Sequence, residues 1–406
     1  MTFLQTQQKG QENKMSTLKV DAIVDKDSGN TTTINGTTIG PNLSISSHNT
    51  RGKNLIINGA AQVFQRGGVN ATSIAISASG SVLGPDRFRF STANLDNLAG
   101  TFTQVSDSPD GFGNSLKLTI TTADTSIASD EYAYIAQLVE AQNVQHLAYG
   151  SSGAKQVTLS FYVKSSVTGT FAAGIYKPDN TAQIHNLTYT INSANTWEYK
   201  TLTFAANTLS GGAIDDNTGI GFYVNWHLAA GSGFKGGGAT SGWSSYANSK
   251  WADGQATDAV ITTTNATFQL TGCQLEVGDA ATEFEHESYG QTLSKCQRYF
   301  HAFQQKGLTS QATNDANSFL AVSYGSNNFY GAVFFPTAMR IYPAISSGGS
   351  WFTRASNNIE FTASMGIQRT GNNSAIVAQA AGTQSGNEAL WVEPGNGSFL
   401  YFDSEL

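Results

Sequence analysis

Between Lys155 and Ser166 the chain reads KQVTLSFYVKSS, and its apolar side chains fall on alternate positions. Val157, Leu159, Phe161 and Val163 share one parity, while Thr158, Ser160 and Lys164 share the other. Successive side chains of an extended chain point to opposite faces, so this period of two describes a half-buried strand. Runs of the same kind recur from about Lys53 to Phe284, separated by Gly, Asn and Asp clusters that suit turns. In WEYKTLTF the parity switches between Trp197 and Tyr199 on one side and Leu202 and Phe204 on the other, which predicts a bulge or a twist between them. TFQLTGCQLEVG switches likewise across Gly272, from Phe268 and Leu270 to Cys273, Leu275 and Val277. Bulged strands curve sheets, as a sandwich requires.

Composition supports an all-β reading. Charged residues are 13% of the chain, about half the usual ~25%, and Gly, Ser, Thr and Asn take their place, residues that serve turns and exposed strand faces better than helices. The 39% hydrophobic share is enough to fill cores, and 406 residues exceed what one core organises, so two or three folding units are expected.

Several classes of function are disfavoured. A net charge of -7 offers no general attraction to phosphate backbones or anionic membranes. No apolar run reaches the ~18 to 20 residues of a membrane span, and MTFLQTQQKGQENK lacks a signal peptide's apolar stretch. Synthesis in a cytoplasm without export is expected, with Met1 or Met15 as the start. Cys273 and Cys296 lie in strand-like and helix-like text and read as buried thiols. The six histidines are scattered, and no HExxH, GxSxG or Walker-type loop occurs. Glu283, Glu285, His286 and Glu287 form a dense titratable cluster, read here as a solvated helix entrance. Asp130, Glu131 and Glu140 are acids without a glycosidase-like arrangement. The chain is therefore expected not to be an enzyme.

Four segments follow. Residues 1–52 hold short β-type runs, Leu18 to Val24 and Thr31 to Ile39, with too little apolar mass to form a core alone, and suit an attachment arm ordered by other chains. Residues 53–286 form the sandwich. A helix is expected over 287–305, capped by Ser288 with Gln291 and carrying Leu293, Cys296, Phe300 and Phe303 at helical spacing. Residues 306–406 return to strand text and form a small β domain.

NLIINGAAQVFQRG at 54–67, PDRFRF at 85–90, VTLSFYVKSS at 157–166 and TGCQLEVGDAATEFEHESYGQTLSKCQRYF at 271–300 resemble tail-fibre and fibre-like virion proteins of marine and other tailed phages, including those of cyanobacteria. The resemblance implies a jelly roll similar to a carbohydrate-binding module, a closing helix and a small β domain. It also implies a homotrimeric fibre joined to other virion proteins through residues 15–50, its distal parts meeting a host-surface glycan or other receptor. A capsid-decorating or connector fibre without a receptor, and a glycan depolymerase, are the alternatives.

Three candidate sites stand out. The glycine-rich stretch between Asn225 and Asp258 reads as a long surface loop, and Trp243, Tyr246 and Trp251, with Asn248 and Asp253 as hydroxyl partners, suit stacking on a sugar's C–H face. Fastening the loop to its own domain or to a neighbouring subunit is the plainer use of the same rings and the favoured one. Trp197 and Trp226 read as core. A distal surface of Tyr324, Tyr330, Arg340, Tyr342, Trp351 and Arg354 has hot-spot composition, which burial between subunits would equally explain. Asp107, Asp110 and Asn114 in DSPDGFGN offer hard oxygens to a structural calcium, although solvated turns, here and at Asp215 to Asn217, are the commoner use of these residues. No other cofactor is expected.

Overall fold

The computed structural model describes residues 32–34, 37–39, 52–67, 73–304, 318–324, 328–354, 358–362, 365–380, 389–394 and 398–406. The chain divides into two compact units, Met1–Asn49 and Thr50–Leu406. In the first, Thr32–Ile34 pairs antiparallel with Thr37–Ile39, Thr32 facing Ile39. The start methionines and the Leu18 to Val24 run lie outside the described residues.

The second unit is built on a jelly-roll sandwich of two antiparallel sheets. The front sheet has seven strands in the spatial order Ser244–Ser245, Gln183–Ile191, Gly169–Lys177, Ile220–Ala230, Tyr132–Glu140, Phe88–Ala93 and Gly80–Leu83. The back sheet has six: Glu198–Phe204, Val157–Ser165, Thr267–Val277, Ser115–Thr122, Ala99–Val105 and Ser73–Ser77. Phe88, Phe161, Phe171, Trp226 and Phe268, none of them solvent-accessible, fill the space between the sheets, which is why one parity of each strand is apolar.

The bulge at Gly272 is present: the pairing of Thr267–Val277 with Val157–Ser165 shifts register between Thr271 and Gln274, and Gly272 adopts φ +59°. Of the bulge or twist expected in WEYKTLTF, the bulge is absent. Glu198–Phe204 pairs with Val157–Val163 without a register shift, Leu202 and Phe204 face the core, and Trp197 and Tyr199 lie on the outer parity, Tyr199 exposed and Trp197 half-buried. Trp226 is core as expected; Trp197 instead donates its indole N–H to Asp107 at 3.3 Å.

The NLIINGAAQV segment serves as scaffold. The Asn54 side chain donates to Cys273 O (3.0 Å) and accepts from Leu275 N (3.0 Å), while Asn58, at φ +61°, binds Val63 through both its amide oxygen and its amide nitrogen. The expected capping box is formed by Ser288 and Gln291, but the helix covers only Tyr289–Gln297. Phe300–Gln304, expected to continue it, is a strand, because Phe399–Asp403 offers it a complete antiparallel ladder. Both cysteines are buried and unpaired.

The C-terminal part has a three-stranded sheet, Phe300–Gln304, Phe399–Asp403 and Ala344–Gly348, and a seven-stranded one in the order Asn358–Thr362, Ser350–Arg354, Ala389–Pro394, Phe319–Tyr324, Asn328–Phe334, Ser374–Ala380 and Gly366–Thr370. The last residues lock this part to the sandwich. Glu405, itself buried, pairs with Arg87 and Arg66; Arg89 donates to Leu406 O; Arg340 donates to Ser404 O and Glu405 O. Burial pulls the Arg87 guanidinium down to about 10, so it stays charged at neutral pH. Among the described residues no helix is long and apolar enough to cross a membrane.

Candidate functional site

The front sheet buries one face in the sandwich, yet several of its outward positions are aromatic. Tyr132 and Tyr134 stand on Tyr132–Glu140, Tyr223 on Ile220–Ala230 and Tyr176 on Gly169–Lys177. Cross-strand register sets Tyr176 directly opposite Tyr223, with ring centroids 5.5 Å apart.

The expected surface loop folds back over these rings. It starts at Gly231, later than its sequence suggests, because Trp226–Ala230 still belongs to a strand. Ser244–Ser245 pairs with Gln183 and Ile184, Tyr246 N donates to Ala182 O (2.9 Å), and Ala252 N donates to Phe234 O (2.9 Å). Asp253 is buried, and its carboxylate accepts from Gly236 N (2.8 Å) and Thr240 N (3.3 Å). Gly254 sits at φ +91°, where a Cβ would lie 2.6 Å from the Thr188 methyl group.

Trp251 is the keystone of the loop. Only 7% exposed, it lies edge-on to Tyr134 at 5.2 Å and Tyr176 at 5.3 Å, and also touches Tyr132, Tyr223, Tyr246 and His227. Tyr246 packs on Tyr176 at 4.9 Å and donates its hydroxyl to Asn248 at 3.1 Å; Phe234 meets Tyr132 edge-on at 4.9 Å. The result is an open groove of about 440 Å³ walled by these rings, with Asn94, Asp130 and Asn248 exposed on its lining. Partial burial raises the phenols of Tyr132, Tyr176 and Tyr246 above their ordinary value, which keeps them protonated donors at neutral pH.

A polar row lies beneath the loop. Asn225 and His227 are fully buried, and among the described residues neither side chain finds a hydrogen-bond partner; nor do Asn186 Oδ1 and Trp251 Nε1. Burial depresses the His227 imidazole to about 3, so it is neutral. Such groups are costly inside a fold, and here they sit directly under the aromatic wall.

Of the five loop residues singled out in the sequence, Tyr246, Asn248 and Trp251 thus come together, Asp253 clasps the loop from inside, and Trp243 lies elsewhere. Its indole donates to Ala205 O (2.7 Å) and its ring packs on Tyr149 and His185 against the main core. Tyr132, Tyr134, Tyr176, Tyr223, Phe234, Asn94 and Asp130 were not singled out. The signal was there in part, since IGFYVNWHL carries aromatics on both parities, and YAYIAQLVE sets Tyr132 and Tyr134 on the parity opposite to Ile135 and Val139.

The distal candidates whose side chains are described are not gathered into one site. Trp351 is fully buried with its indole on Gly348 O (3.2 Å), Arg340 is spent on the C-terminal residues and on Thr218 O (2.8 Å), and Tyr330 and Tyr342 are exposed. The side chains of Tyr324 and Arg354 lie outside the described residues. Asp107 gives its carboxylate to Lys164 (2.8 Å), Gln269 (3.1 Å) and Trp197 (3.3 Å), which together hold its pKa below the usual range, while Asp110 lies exposed in the same turn. Among the described residues no three His, Cys, Asp or Glu side chains cluster as a metal site would require. The acidic run at the helix entrance is largely engaged: Glu285 accepts from Asn54 N (2.9 Å) and Gly52 N, and Glu287 pairs with Lys295. Glu140 is buried against Arg298 and Tyr299, and Glu131 against Ala128 N, so neither shares the groove with Asp130.

No protein-family model matches the chain, and no curated protein matches it in sequence. Among solved structures it is similar to the enzymatically active domain of bacteriophage CBA120 tailspike protein 4, at 12% identity and a TM-score of 0.28, over 56% of this chain and 22% of that one. It is also similar to the family 11 carbohydrate-binding module of a Clostridium thermocellum cellulase (13%, TM-score 0.25, 52% of this chain and 98% of that one) and to a xylan-binding domain from Paenibacillus barcinonensis (11%, TM-score 0.25, 51% and 95%). Likeness at these values carries no weight for function, which is argued from the groove itself.

Proposed function

We propose that the protein is a glycan-binding adhesin, a tail-fibre-type virion component that holds a host-surface saccharide in the aromatic groove and does not cleave it. The groove itself carries this reading: seven rings, four from three strands of the front sheet and three from the folded-back loop, line an open trough whose exposed residues Asn94, Asp130 and Asn248 carry amide and carboxylate groups. Sugar rings present apolar C–H faces and polar hydroxyl edges, which match aromatic walls and an Asn and Asp rim. Asp130 is the one acid among the residues lining the trough, whereas glycoside hydrolysis uses two carboxylates facing each other across the bond.

The fibre reading also has a place for self-association. On the seven-stranded C-terminal sheet, Leu320 lies opposite Trp391 and Val322 opposite Tyr330 in register, and all four are exposed, as is Phe334 at 76%. Such a stripe on a sheet face suits burial against other copies of the chain in a homotrimer, with residues 15–50 joining the virion.

The test is adsorption of the purified protein to host cells and binding to their extracted polysaccharides. Tyr176→Ala and Tyr246→Ala each weaken binding by about tenfold, as loss of one stacking ring does, while the oligomeric state is unchanged. Unaltered binding in both variants refutes the groove, and shortened glycan chains after incubation refute the non-enzymatic part.

A further inference from the structure

The back sheet carries an aromatic hollow of its own, on the face of the sandwich opposite the groove. Tyr162 projects outward from Val157–Ser165 and Tyr199 from Glu198–Phe204; the two are register partners with rings 4.9 Å apart. Phe112 reaches in from the turn between two strands, 5.5 Å from Tyr162, and Phe284 and His286 close the other side at 5.1 and 5.2 Å from Phe112. The bulge at Gly272 makes this approach feasible, since a Cβ there would lie 2.8 Å from the Phe112 ring and 3.1 Å from Tyr162. The turn that brings Phe112 in is fastened by Thr271 Oγ1 to Asn114 O (2.7 Å) and Ser115 Oγ to Asp107 O (2.6 Å). The space enclosed is about 480 Å³, within the range of small-molecule sites.

Its acids outnumber the cation at its rim. Asp110 and Glu283 line the hollow, both are exposed, and among the described residues neither side chain takes part in an ion pair. Of the two nearby lysines, Lys164 pairs with Asp107 (2.8 Å), while Lys53 Nζ stands at the rim, held by a hydroxyl and a carbonyl of the lining, Thr282 Oγ1 (2.5 Å) and Glu283 O (2.6 Å), and not by a carboxylate. Glu276, buried below, is satisfied by Thr282 N (2.8 Å), Thr282 Oγ1 (2.7 Å) and Gln274 Nε2 (2.8 Å). Aromatic faces are the negative side of the ring quadrupole, so walls of this kind beside two carboxylates outside any ion pair attract a cation with apolar substituents more than a neutral molecule of the same shape.

We propose that this hollow binds an organic cation, an ammonium carried on a small organic body, at a site independent of the glycan groove. A quaternary ammonium headgroup and a sugar-borne amine share that chemistry. Their source is distinguished by the probes: choline against its neutral carbon isostere 3,3-dimethylbutanol, and glucosamine against glucose, each titrated into the full chain by calorimetry. Choline or glucosamine is expected to bind at least about tenfold more tightly than its neutral counterpart, and whichever does so identifies the source. Asp110→Asn combined with Glu283→Gln lowers that affinity about fivefold or more, with an unchanged melting temperature, and Tyr199→Ala lowers it separately. Tyr176→Ala, on the other face, leaves it unchanged, so failure of the groove and failure of this site read differently. Equal affinity for charged and neutral probes, absence of binding by both cations, or indifference to the paired carboxamide substitutions overturns the proposal.

Discussion

Trp251→Ala tests whether one ring holds the groove together. Replacing a buried Trp by Ala typically costs about 3–5 kcal/mol, and Trp251 is 7% exposed with six aromatic neighbours. The groove is open, so water can enter the space left behind, which places the loss near the lower end, about 3 kcal/mol. The loss falls on the loop more than on the sandwich, because the core under the front sheet is a separate cluster of side chains. It should therefore appear as local opening. Two tryptic sites report it. Lys250 donates to Ser245 O (3.0 Å) and Lys235 pairs with Asp258 (3.4 Å), so both are held while the loop is closed. When reclosing outpaces cleavage, the rate follows the open population, and 3 kcal/mol raises it on the order of 100-fold. Limited trypsin digestion of the native protein and Trp251→Ala, followed by mass analysis of the fragments, measures this directly. Tyr246→Ala, which removes a half-exposed ring, should change the rate by less than about tenfold. Cleavage of Trp251→Ala at Lys235 and Lys250 within about threefold of the native rate would show that the loop is held by its backbone hydrogen bonds instead, and would refute the reasoning.

Acidification should destabilise the Thr50–Leu406 unit between pH 7 and 5. Burial depresses His227 to about 3 and His185 and His301 to about 4, so the unfolded chain takes up protons below about 6.5 while the folded one does not, and stability falls as pH drops. The loss is on the order of 2 kcal/mol per histidine by pH 5, partly offset by Asp86, whose carboxyl burial raises; denaturant titrations that give equal stability at both pH values exclude it. Glu405→Gln removes the charge shared by Arg66 and the buried Arg87 and should cost about 3–5 kcal/mol in the same titrations, whereas a change under about 1 kcal/mol would mean that the C-terminal residues are not a lock. Asp at both Leu320 and Trp391 should reduce the mass measured by light scattering to that of one chain, and an unchanged assembly moves the interface away from this sheet.

The sequence was most legible where one strand decides its own geometry. The parity switch across Gly272 marks a real bulge, because both halves of that strand must face the same core and only an extra residue reconciles them. The same signal marks no bulge in WEYKTLTF. There the outward rings of Trp197 and Tyr199 have partners of their own, Asp107 and Tyr162, so no bulge is needed to bury them. The helix was legible at its start, where Ser288 and Gln291 act locally, and illegible at its end, where Phe399–Asp403, about a hundred residues on, draws Phe300–Gln304 into a sheet.

The groove shows the same division between local and distant causes. An aromatic, glycine-rich loop is visible as a chemical oddity, and Trp251 is found that way. What the loop closes on is visible only after Tyr132, Tyr176 and Tyr223, on three strands separated by up to some 90 positions, are brought side by side by cross-strand register. The two uses weighed for the loop rings, fastening and sugar contact, then cease to be alternatives. Trp243 fastens to the main core, Trp251 fastens to the sheet, and by seating Tyr246 against Tyr176 it builds the wall that a ligand would touch. A residue can therefore be required for binding without itself being the contact, and this is why Trp251→Ala and Tyr246→Ala must be read together: a loss of binding shared by both, with loop opening confined to the first, separates the wall from its support.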